Sequence, residues 1–517
     1  MPLPKMIEKL LPPNTVSNEF ENAKLKQTHI SYVIITTDHA YKIKKPVDFG
    51  FLDFTTIEKR LFYCKEEVRL NSRLAEGVYL GIVPVTCDGS NYEIGGSGEI
   101  VDYAVKMRRL DENHILRNML SAETATSVDM ERLGVKIASF HKRAATSGTI
   151  EAFGSPDTVG RNCTENFQQT LPYIGRTISA ETHKAVKTYS DNLIARNAEL
   201  MALRADKGLV ADCHGDLHTD HISFDDGIHA FDCIEFNERF RFSDVISDIA
   251  FLLMDLEFYS RGDLARTLEA SYFNATGDEE GKKLLDFYKC YRAFVRGKVE
   301  GLKLYEAEEP EDEKLKAEAD ARRYFHLSRM YAEGGYRPTL ILVRGLSCSG
   351  KSSLARELSA MTGMKVLSSD AIRKELHGIT PDKRVIEPYG KGIYSDEATV
   401  KTYSTMAERA KKHLSSGRSV IMDATFSLSD QIDAAKTAAH MAGSAFYALE
   451  CTVDDETAAK RFALRDSNSE RISDATMEIY LKQKEAFEQI DPPAAILSPA
   501  ASPGEQARAA IKKLFMK

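Results

Sequence analysis

Apolar and polar residues alternate along several short stretches near the start of the chain, as half-buried β-strands require. Residues 32–36 and 40–44 both alternate in this way, and the polar residues 37–39 between them predict a hairpin loop. Apolar residues at helical spacing follow over residues 57–74, and residues 101–107 predict another strand. Beyond this strand the pattern is mostly helical. The pattern therefore predicts a small β-rich lobe followed by a larger helical lobe.

A break near residue 335 predicts the boundary between two domains. Residues 302–332 are rich in Glu, Lys, Ala and Arg, which predicts a solvated helix. The run Gly-Gly-Tyr-Arg-Pro at residues 334–338 ends that helix, because paired glycines terminate helices and proline cannot continue one. We therefore predict one domain over residues 1–335 and a second over residues 336–517.

Strand and helix patterns alternate throughout the second domain. Such alternation is typical of a parallel sheet that helices cover on both faces. The fold class is therefore α/β for the second domain and α+β for the first. The predicted strands of the second domain are residues 339–344, 365–368, 419–422 and 446–451, and its first helices are predicted to begin near residues 351, 371 and 398.

Composition and charge narrow the classes of function. A chain of 517 residues exceeds the size of a single core. Its net charge of −8 lacks the basic excess of a non-specific nucleic-acid binder, so a nucleic-acid 5′-end is a less favoured partner than a small molecule. The first residues lack the apolar stretch of a signal peptide, and no apolar run is long enough to span a membrane. We expect a cytoplasmic protein without a membrane partner, and the eight cysteines, which form no C-x-x-C pair, fit that compartment.

The most specific motif lies at the start of the second domain, where the sequence GLSCSGKS matches G-x-x-x-x-G-K-[ST]. An apolar strand precedes it and a helix-forming stretch follows it, which is the context that a phosphate-binding loop needs. In such a loop, backbone N–H groups bind phosphate oxygens, Lys351 reaches the β- and γ-phosphates, and the hydroxyl of Ser352 binds Mg²⁺. The residues predicted to bind ATP are Gly345, Ser347, Ser349, Gly350, Lys351, Ser352 and Ser353.

Five further residues fit the chemistry of phosphoryl transfer. Asp370 follows the second predicted strand of this domain and would act as the base for an acceptor hydroxyl, or alternatively cap the next helix. Arg373, one helical turn on, would hold a polar or anionic group. Asp423 ends the next strand and would hold Mg²⁺ through a water or cap a turn. Arg461 and Arg465 would close over the triphosphate and neutralise transition-state charge, unless Arg465 lies on a solvated helix face.

Together these residues resemble the P-loop kinases of small molecules and of polynucleotide 5′-ends, an AAA-type, zeta-toxin-like and polynucleotide-kinase-like group. The Walker A loop, the D-x-x-R of Asp370 and Arg373, Asp423 and the arginine cluster carry the resemblance, which covers residues 339–490. It implies ATP and Mg²⁺ as cofactors and a hydroxyl-bearing acceptor, which it does not name.

The first domain carries a second cluster, in which residues 214–221 read HGDLHTDH and Asp232 follows a short predicted hairpin. The cluster resembles the aminoglycoside phosphotransferase-like branch of the protein-kinase fold, whose catalytic loop reads H-G-D-x-x-x-x-N and precedes a metal-binding Asp. The resemblance spans about residues 25–300 and implies a two-lobed domain in which Asp216 accepts the acceptor's proton and Asp232 holds Mg²⁺. His221 departs from the pattern, because it stands where the family has its metal-binding Asn. An alternative is a zinc site formed by the three histidines of the cluster.

The same resemblance assigns residues in the β-rich lobe. Lys42, in the sequence Ala-Tyr-Lys, would be the phosphate-binding lysine, with Lys44 as its rival. Glu67 on the following helix would be its ion-pair partner, with Glu66 as the alternative.

The resemblance also locates the parts around the nucleotide. Residues 104–110 would form the hinge, whose backbone faces the adenine, and Asp244 and Asp248 would brace the catalytic loop. A glycine-rich phosphate loop is not recognisable in this domain. Nucleotide binding is therefore predicted from fewer residues here than in the second domain.

Two hypotheses follow from these motifs. The first is a two-domain ATP-dependent phosphotransferase, a bifunctional kinase in which both domains transfer the γ-phosphate of ATP to hydroxyl acceptors. The second is a single P-loop kinase whose first domain is a degenerate, regulatory kinase-like module. Intact Asp216, Asp232 and Lys42 favour the first, whereas His221 and the lack of a recognisable glycine-rich loop favour the second.

Overall fold

The structure is a computed structural model of the chain. It describes residues 3–12, 18–89, 91–306, 309–380, 383, 385, 387, 390–466, 476–489, 495–497 and 501–516, with the backbone alone at 464–466. The chain divides into two units. The N-terminal unit consists of Met1–Thr164, Asp191–Asp255 and Thr267–Lys289, and the P-loop unit consists of Glu165–Ser190, Leu256–Arg266 and Cys290–Lys517. The boundary after residue 335 stays a prediction about domain organisation.

Helices and short strands follow one another along the whole described part. The strands up to residue 335 are β1 (Lys24–Gln27), β2 (Ser31–Ile35), β3 (His39–Lys44), β4 (Tyr79–Cys87), β5 (Tyr92–Ile94), β6 (Glu99–Arg108), β7 (Val210–Asp212), β8 (Ile222–Ser223), β9 (His229–Ala230) and β10 (Phe242–Asp244). The helices up to residue 335 are α1 (Lys5–Leu10), α2 (Ile57–Asn71), α3 (Leu116–Ser121), α4 (Ser127–Arg143), α5 (Gly148–Glu151), α6 (Pro156–Gln169), α7 (Ala180–Asp206), α8 (Glu238–Arg241), α9 (Val245–Phe258), α10 (Gly262–Thr276), α11 (Lys282–Lys303) and α12 (Glu311–Ala332).

The later elements alternate as the sequence predicts. The strands are β11 (Thr339–Arg344), β12 (Lys365–Ser368), β13 (Val420–Asp423), β14 (Ala445–Cys451) and β15 (Ala495–Leu497). The helices are α13 (Lys351–Thr362), α14 (Ser369–Leu376), α15 (Asp396–Ser415), α16 (Ser429–Met441), α17 (Asp455–Asp466), α18 (Met477–Glu485) and α19 (Pro503–Phe515). Within the described ranges, no helix combines the length and the apolar character that crossing a bilayer demands.

The predicted β-rich lobe is a six-stranded antiparallel sheet in the order β1-β2-β3-β6-β4-β5. The hairpin prediction is confirmed, because β2 and β3 pair antiparallel across residues 36–38. Tyr41 and Ile43 of β3 point into an apolar core on one face of this sheet. Because side chains alternate along a strand, Lys42 and Lys44 project from the other face. The sheet and the helices that follow it confirm the α+β class predicted for the first part of the chain.

The P-loop unit contains a five-stranded parallel sheet in the order β12-β13-β11-β14-β15, which confirms the predicted α/β class. Ile341 and Val343 of β11 pack toward α13 and α19, while Leu340 and Leu342 pack toward α15 and α16. Burial on both faces explains why this strand is a continuous apolar run in the sequence. The loop that follows β11 lies at the carboxyl edge of the sheet, where open α/β sheets bind their ligands.

The helix predicted over residues 302–332 is wrong in its start and in its exposure. α12 begins only after Pro310, which is its N-cap residue. Proline is tolerated at the start of a helix but breaks a helix from within, because it has no backbone N–H. Much of the helix is buried, including Tyr324 at 2% and Tyr331 at 1% exposure. Its alanines pack as well: Ala319 belongs to the apolar core of the P-loop unit. A composition typical of solvated helices therefore concealed a buried face.

Arg204 on α7 is fully buried in the N-terminal unit and holds two aspartates. Its guanidinium donates to both carboxylate oxygens of Asp244 and to both of Asp278, at 2.7 and 2.8 Å in each case. We expect Arg204→Met to lower the free energy of unfolding by about 3–5 kcal/mol, because buried carboxylates lose their counter-charge. Urea denaturation of the full chain measures the loss.

Arg196 provides the matched control, because it lies on α7 just before the kink at Asn197 and is exposed. We expect Arg196→Met to change the free energy of unfolding by no more than about 0.5 kcal/mol. A loss below about 1 kcal/mol for Arg204→Met would contradict the structural role of this buried ion pair.

Candidate functional site

The loop that follows β7 carries the H-G-D sequence and is held by one carboxylate. Asp248 on α9 accepts the backbone N–H of His214 at 3.0 Å and that of Gly215 at 2.9 Å. Gly215 has a φ of +85°, and a Cβ at this position would lie 2.8 Å from a backbone carbonyl oxygen just before β10. Only glycine fits there. Asp248 thus braces the loop, whereas Asp244 pairs with Arg204.

Lys42 joins the β-rich lobe of the N-terminal unit to the segment that carries Asp232. Its Nζ lies 2.8 Å from Oε1 of Glu67 and 2.6 Å from Oδ1 of Asp232. Burial alone would lower the pKa of Lys42, but the charges of Asp232 and Glu67 outweigh it and hold that pKa well above its usual value. Asp232 has a φ of +62°, an unusual backbone conformation that the surrounding contacts must maintain. The lysine is therefore a fixed cation between two carboxylates.

The rival residues have different partners. Lys44 is 1% exposed, its Nζ lies 2.7 Å from Oε2 of Glu67, and it also contacts Glu235. Glu66 pairs instead with Arg69, at 2.7 Å. Both lysines therefore reach Glu67, but of the two, Lys42 is the one that contacts Asp232. The geometry favours Lys42 and Glu67 as the pair that faces a nucleotide.

Asp216 lies among imidazoles. Its Oδ2 is 3.5 Å from Nε2 of His218 and 3.5 Å from Nδ1 of His221, and Nε2 of His221 is 3.5 Å from Oδ2 of Asp232. In the described part of the chain, Asp216, His218 and His221 form one of the groups whose possible metal-ligand atoms lie within 4.8 Å of one another. The structure thus brings together the predicted base and both predicted metal ligands.

The alternative zinc site of three histidines is not assembled, because His214 is engaged elsewhere. Its Nε2 lies 3.0 Å from the carbonyl oxygen of Phe231, and its Nδ1 accepts the backbone N–H of Asp216 at 3.3 Å. Burial lowers the pKa of His214 to about 4, so the ring is neutral at physiological pH. Its two nitrogens serve to shape the loop.

A cavity of about 610 Å³ lies at the end of β6, where the sequence places the hinge. Two of the lining residues, Arg108 and Asp225, form an ion pair in which Nη1 and Oδ2 are 3.0 Å apart. The cavity is lined by Thr37, Asp38, His39, Leu80, Arg108, Arg109, Leu110, Asp111 and Asp225.

The loop between β11 and α13 has the backbone shape of a phosphate cradle. Gly345 has a φ of +151°, and a Cβ there would lie 2.5 Å from the carbonyl oxygen of Cys451. Gly350 has a φ of +97° and caps the N-terminus of α13. Cys348, between them, has a φ of +64° although it is not glycine. These conformations turn the loop back on itself above the helix N-terminus, the arrangement in which backbone N–H groups bind anions.

Side chains from the loop and from later helices meet at this cradle. Nζ of Lys351 lies 3.4 Å from the carbonyl oxygen of Leu346. Arg461 on α17 donates to the carbonyl oxygen of Cys348 at 2.7 Å, so one of the two predicted arginines touches the loop. The side chain of Arg465 lies outside the described residues.

Asp423 and Ser352 form the acidic side of the cradle. Ser352 lies beside the Asp423 carboxylate, which is 5% exposed. Its Oδ1 has no hydrogen-bond partner within the described residues, and burial raises the pKa of Asp423. A buried carboxylate oxygen beside a serine hydroxyl is a donor set that suits hydrated Mg²⁺. Ser349 and Ser353 complete the loop, with the hydroxyl of Ser349 buried.

Asp370 is the second residue of α14, and Ser368 is the N-cap, so the alternative of a helix cap at Asp370 is wrong. Its Oδ2 lies 3.0 Å from Nζ of Lys374, and its Oδ1 lies 3.4 Å from the hydroxyl of Tyr394. Arg373 donates to the carbonyl oxygen of Ile393 at 2.8 Å and to Thr399 at 3.1 Å. The observed contacts of Arg373 therefore hold the segment before α15 and the first turn of α15, and its role toward a substrate stays a prediction.

Several residues of the two sites were not found from the sequence. Gln483 on α18 accepts the backbone N–H of Ser347 at 3.1 Å and its hydroxyl at 2.8 Å, 136 residues away along the chain. Glu235, beside Lys44, likewise carries no motif. Lys374 had a readable signal, because a lysine four residues after Asp370 on a helix faces it.

An AAA domain family model matches residues 340–490, the part of the chain that holds the P-loop. Among solved structures, the Mycobacterium tuberculosis APS kinase CysC in complex with AMPPNP and APS is 22% identical, covers 34% of this chain and 98% of that chain, and has a TM-score of 0.27. The microcompartment-associated aminopropanol kinase is 13% identical, covers 64% of this chain and 96% of that chain, and has a TM-score of 0.38.

Two mycobacterial proteins are similar over most of the chain. Uncharacterized protein Rv2004c of Mycobacterium tuberculosis (strain ATCC 25618 / H37Rv) is 34% identical over 459 residues, which covers 88% of this chain and 88% of the relative. Uncharacterized protein Mb2027c of Mycobacterium bovis (strain ATCC BAA-935 / AF2122/97) matches with the same identity and coverage. The similarity therefore extends over both units, and the chain belongs to the family of Rv2004c and Mb2027c.

Proposed function

We propose that the chain is a bifunctional ATP-dependent phosphotransferase, in which each unit transfers the γ-phosphate of ATP to a hydroxyl acceptor. One observation supports this proposal above the others: each unit assembles the same three kinds of group. These are a lysine proposed to bind phosphate, a carboxylate suited to a divalent cation, and a second aspartate proposed to accept the acceptor's proton. The two sets are Lys42, Asp232 and Asp216 in the N-terminal unit, and Lys351, Asp423 and Asp370 in the P-loop unit.

In the N-terminal unit, Asp216 would accept the proton of the acceptor hydroxyl, as in the aminoglycoside phosphotransferase-like kinases that the sequence resembles. Lys42 would hold the phosphates, and Glu67, 2.8 Å away, orients it. Asp232 and His221 would hold the metal. The cavity at the end of β6 is our candidate for the adenine pocket.

In the P-loop unit, the backbone N–H groups of the loop and the helix N-terminus would bind the phosphates, and Lys351 would bridge the β- and γ-phosphates. Asp370 would accept the acceptor's proton, with Lys374 and Tyr394 holding its carboxylate. Arg461 would neutralise transition-state charge from its position at the loop. Arg373 and Arg465 remain candidates for contacts with the acceptor or the triphosphate.

Mg²⁺ bound at Ser352 and Asp423 would neutralise charge on the β- and γ-phosphate oxygens. We propose a small molecule as the acceptor of the P-loop unit, and the chain's net charge of −8 makes a nucleic-acid 5′-end the less favoured choice.

The proposal is tested with the full chain and three variants: Asp216→Asn, Lys351→Ala and the double variant. A panel of hydroxyl compounds, including sugars, amino alcohols, nucleosides and 5′-hydroxyl oligonucleotides, is screened by ADP release. Bifunctionality predicts that each single variant loses some acceptors and keeps others, while the double variant loses all. If Asp216→Asn keeps every activity of the wild type, the N-terminal unit is not a kinase.

His221 gives specific support to a second candidate function. Because an imidazole stands where the resembled family has an amide, the N-terminal unit would be a nucleotide-sensing regulatory module of a single P-loop kinase. In that case Asp216→Asn keeps phosphate transfer to every acceptor, and variants of Lys42 change the rate of transfer by the P-loop unit without abolishing any product.

Asp370→Asn should lower phosphorylation by the P-loop unit about 10²–10⁴-fold, because the amide cannot accept the acceptor's proton. ATP affinity should change little, since no role toward the nucleotide is assigned to this residue. Steady-state rates and ATP titrations are measured in the Asp216→Asn background, so that the N-terminal unit is silent.

Asp430→Asn is the matched control for this prediction. Asp430 is the second residue of α16, as Asp370 is of α14, and it is exposed. Its replacement should leave the rate within about a factor of two, as for most surface substitutions. A loss of ATP binding equal to the loss of rate in Asp370→Asn would make Asp370 a ligand of the nucleotide or its metal.

A further inference from the structure

The imidazole of His221 is held in one protonation form by the loop that carries it. Its Nδ1 lies 2.9 Å from the backbone carbonyl oxygen of Asp216. A carbonyl oxygen only accepts hydrogen bonds, so the ring proton sits on Nδ1. Its other nitrogen, Nε2, therefore carries a lone pair, as in histidines whose second nitrogen binds a metal.

That lone pair faces a carboxylate oxygen. Nε2 of His221 lies 3.5 Å from Oδ2 of Asp232, while Lys42 occupies Oδ1 of the same carboxylate at 2.6 Å. Two acceptors this close repel each other unless a proton or a cation lies between them. The ring proton of His221 is already placed on Nδ1, and Oδ1 of Asp232 is held by Nζ of Lys42, so neither group brings a proton to the space between Nε2 and Oδ2. A cation is the remaining partner for both.

We propose that the metal site of the N-terminal unit selects Mn²⁺ over Mg²⁺, with Nε2 of His221 and Oδ2 of Asp232 as its protein ligands. This inference rests on the proposed function, because it names the metal that accompanies the nucleotide there. Mg²⁺ takes oxygen ligands almost exclusively and demands near-ideal octahedral geometry. Mn²⁺ accepts the same carboxylate and phosphate oxygens but, as a transition metal, also accepts imidazole.

His218 serves a different purpose in this arrangement. Its Nδ1 accepts the backbone N–H of Asp220 at 3.4 Å, so its Nε2 carries the proton and points to Oδ2 of Asp216 at 3.5 Å. His218 is thus a positioning residue for Asp216, and the imidazole available to a metal is that of His221.

Pulsed electron paramagnetic resonance on the full chain tests the proposal directly. The Lys351→Ala chain is loaded with Mn²⁺ and the β,γ-methylene analogue of ATP, which has no bridging nitrogen. The spin echo should show ¹⁴N modulation from a coordinated imidazole. The modulation should vanish in His221→Asn and persist in His218→Asn and in His114→Asn, where His114 is another histidine paired with an aspartate, at 3.1 Å from Asp111.

Competition between the two metals gives the second measurement. His221→Asn should lower the ratio of Mn²⁺ affinity to Mg²⁺ affinity at least about tenfold, because even the loss of a group that only orients a metal ligand typically costs about 10–100-fold in metal affinity. Absence of ¹⁴N modulation in the unmodified site would overturn the proposal without any variant. An unchanged metal ratio in a folded His221→Asn chain would overturn it as well.

The failure of this inference is distinguishable from that of the proposed function. If the Lys351→Ala chain releases ADP equally fast with both metals and shows no ¹⁴N modulation, the metal selectivity is contradicted and the kinase activity of the N-terminal unit is not. If a clear ¹⁴N signal is seen but no acceptor or metal supports ADP release, the metal site is supported and the kinase activity of the N-terminal unit is contradicted.

Discussion

Lys351→Ala, in a chain whose N-terminal unit is silenced by Asp216→Asn, is expected to lower ATP turnover at least about 10²–10³-fold, the scale of losing one transition-state contact. The lysine would bridge the phosphate groups between which charge moves, whereas Arg461 is held at the carbonyl oxygen of Cys348. The fold should be unaffected, because Lys351 begins α13 and alanine is a good helix former. ADP release and urea denaturation measure the two quantities.

Lys411→Ala is the control, since this lysine is exposed on α15 of the same unit. The rate of ADP release and the free energy of unfolding of this variant should both match those of the parent Asp216→Asn chain. If Lys351→Ala retained the parent rate within about a factor of three while binding ATP normally, the P-loop would serve as a nucleotide-binding site without catalysing transfer.

Local signals explain what could be predicted. The β2–β3 hairpin and the strand–loop–helix of the P-loop are each encoded by consecutive residues. In the first, alternation sets the strands, and in the second, Gly345 and Gly350 adopt positive φ where the loop reverses. Such features need no knowledge of the rest of the chain, and both were confirmed.

Contacts between residues far apart along the chain explain which site residues could not be predicted. Lys42 and Lys44 lie on the same face of one strand, so the pattern alone could not choose between them. The choice depends on Asp232, which is 190 residues away from Lys42 along the chain. Gln483 reaches Ser347 from a comparable separation.

Residues that suit two different roles account for the rest. Arg373 has the spacing of a substrate-binding arginine, yet its observed hydrogen bonds go to Ile393 and Thr399. The alanines of α12 suit a solvated helix and a closely packed one equally well, and only the packing partner decides.

Lys42→Met and Lys44→Met should separate catalysis from stability in the N-terminal unit. Lys42→Met should lower ADP release at least about 10²–10³-fold in the Lys351→Ala background, because the proposed phosphate cation is lost. Its effect on stability should be small: Glu67 keeps Lys44 at 2.7 Å, and the side chain of Asp232 is 42% exposed.

Lys44→Met should have the opposite effect, a large loss of stability and a small loss of ADP release. It leaves the buried carboxylates of Glu67 and Glu235 close together with Lys42 as their remaining cation, which should lower the free energy of unfolding by about 3–5 kcal/mol. At a temperature where the variant stays folded, ADP release should fall much less than in Lys42→Met, because Lys44 is 1% exposed and its ammonium group contacts Glu67 and Glu235. Urea denaturation and ADP release of both variants are compared in the same background. If Lys44→Met were folded but inactive and Lys42→Met retained its rate, the phosphate-binding lysine would be Lys44, and the contact of Lys42 with Asp232 would be structural.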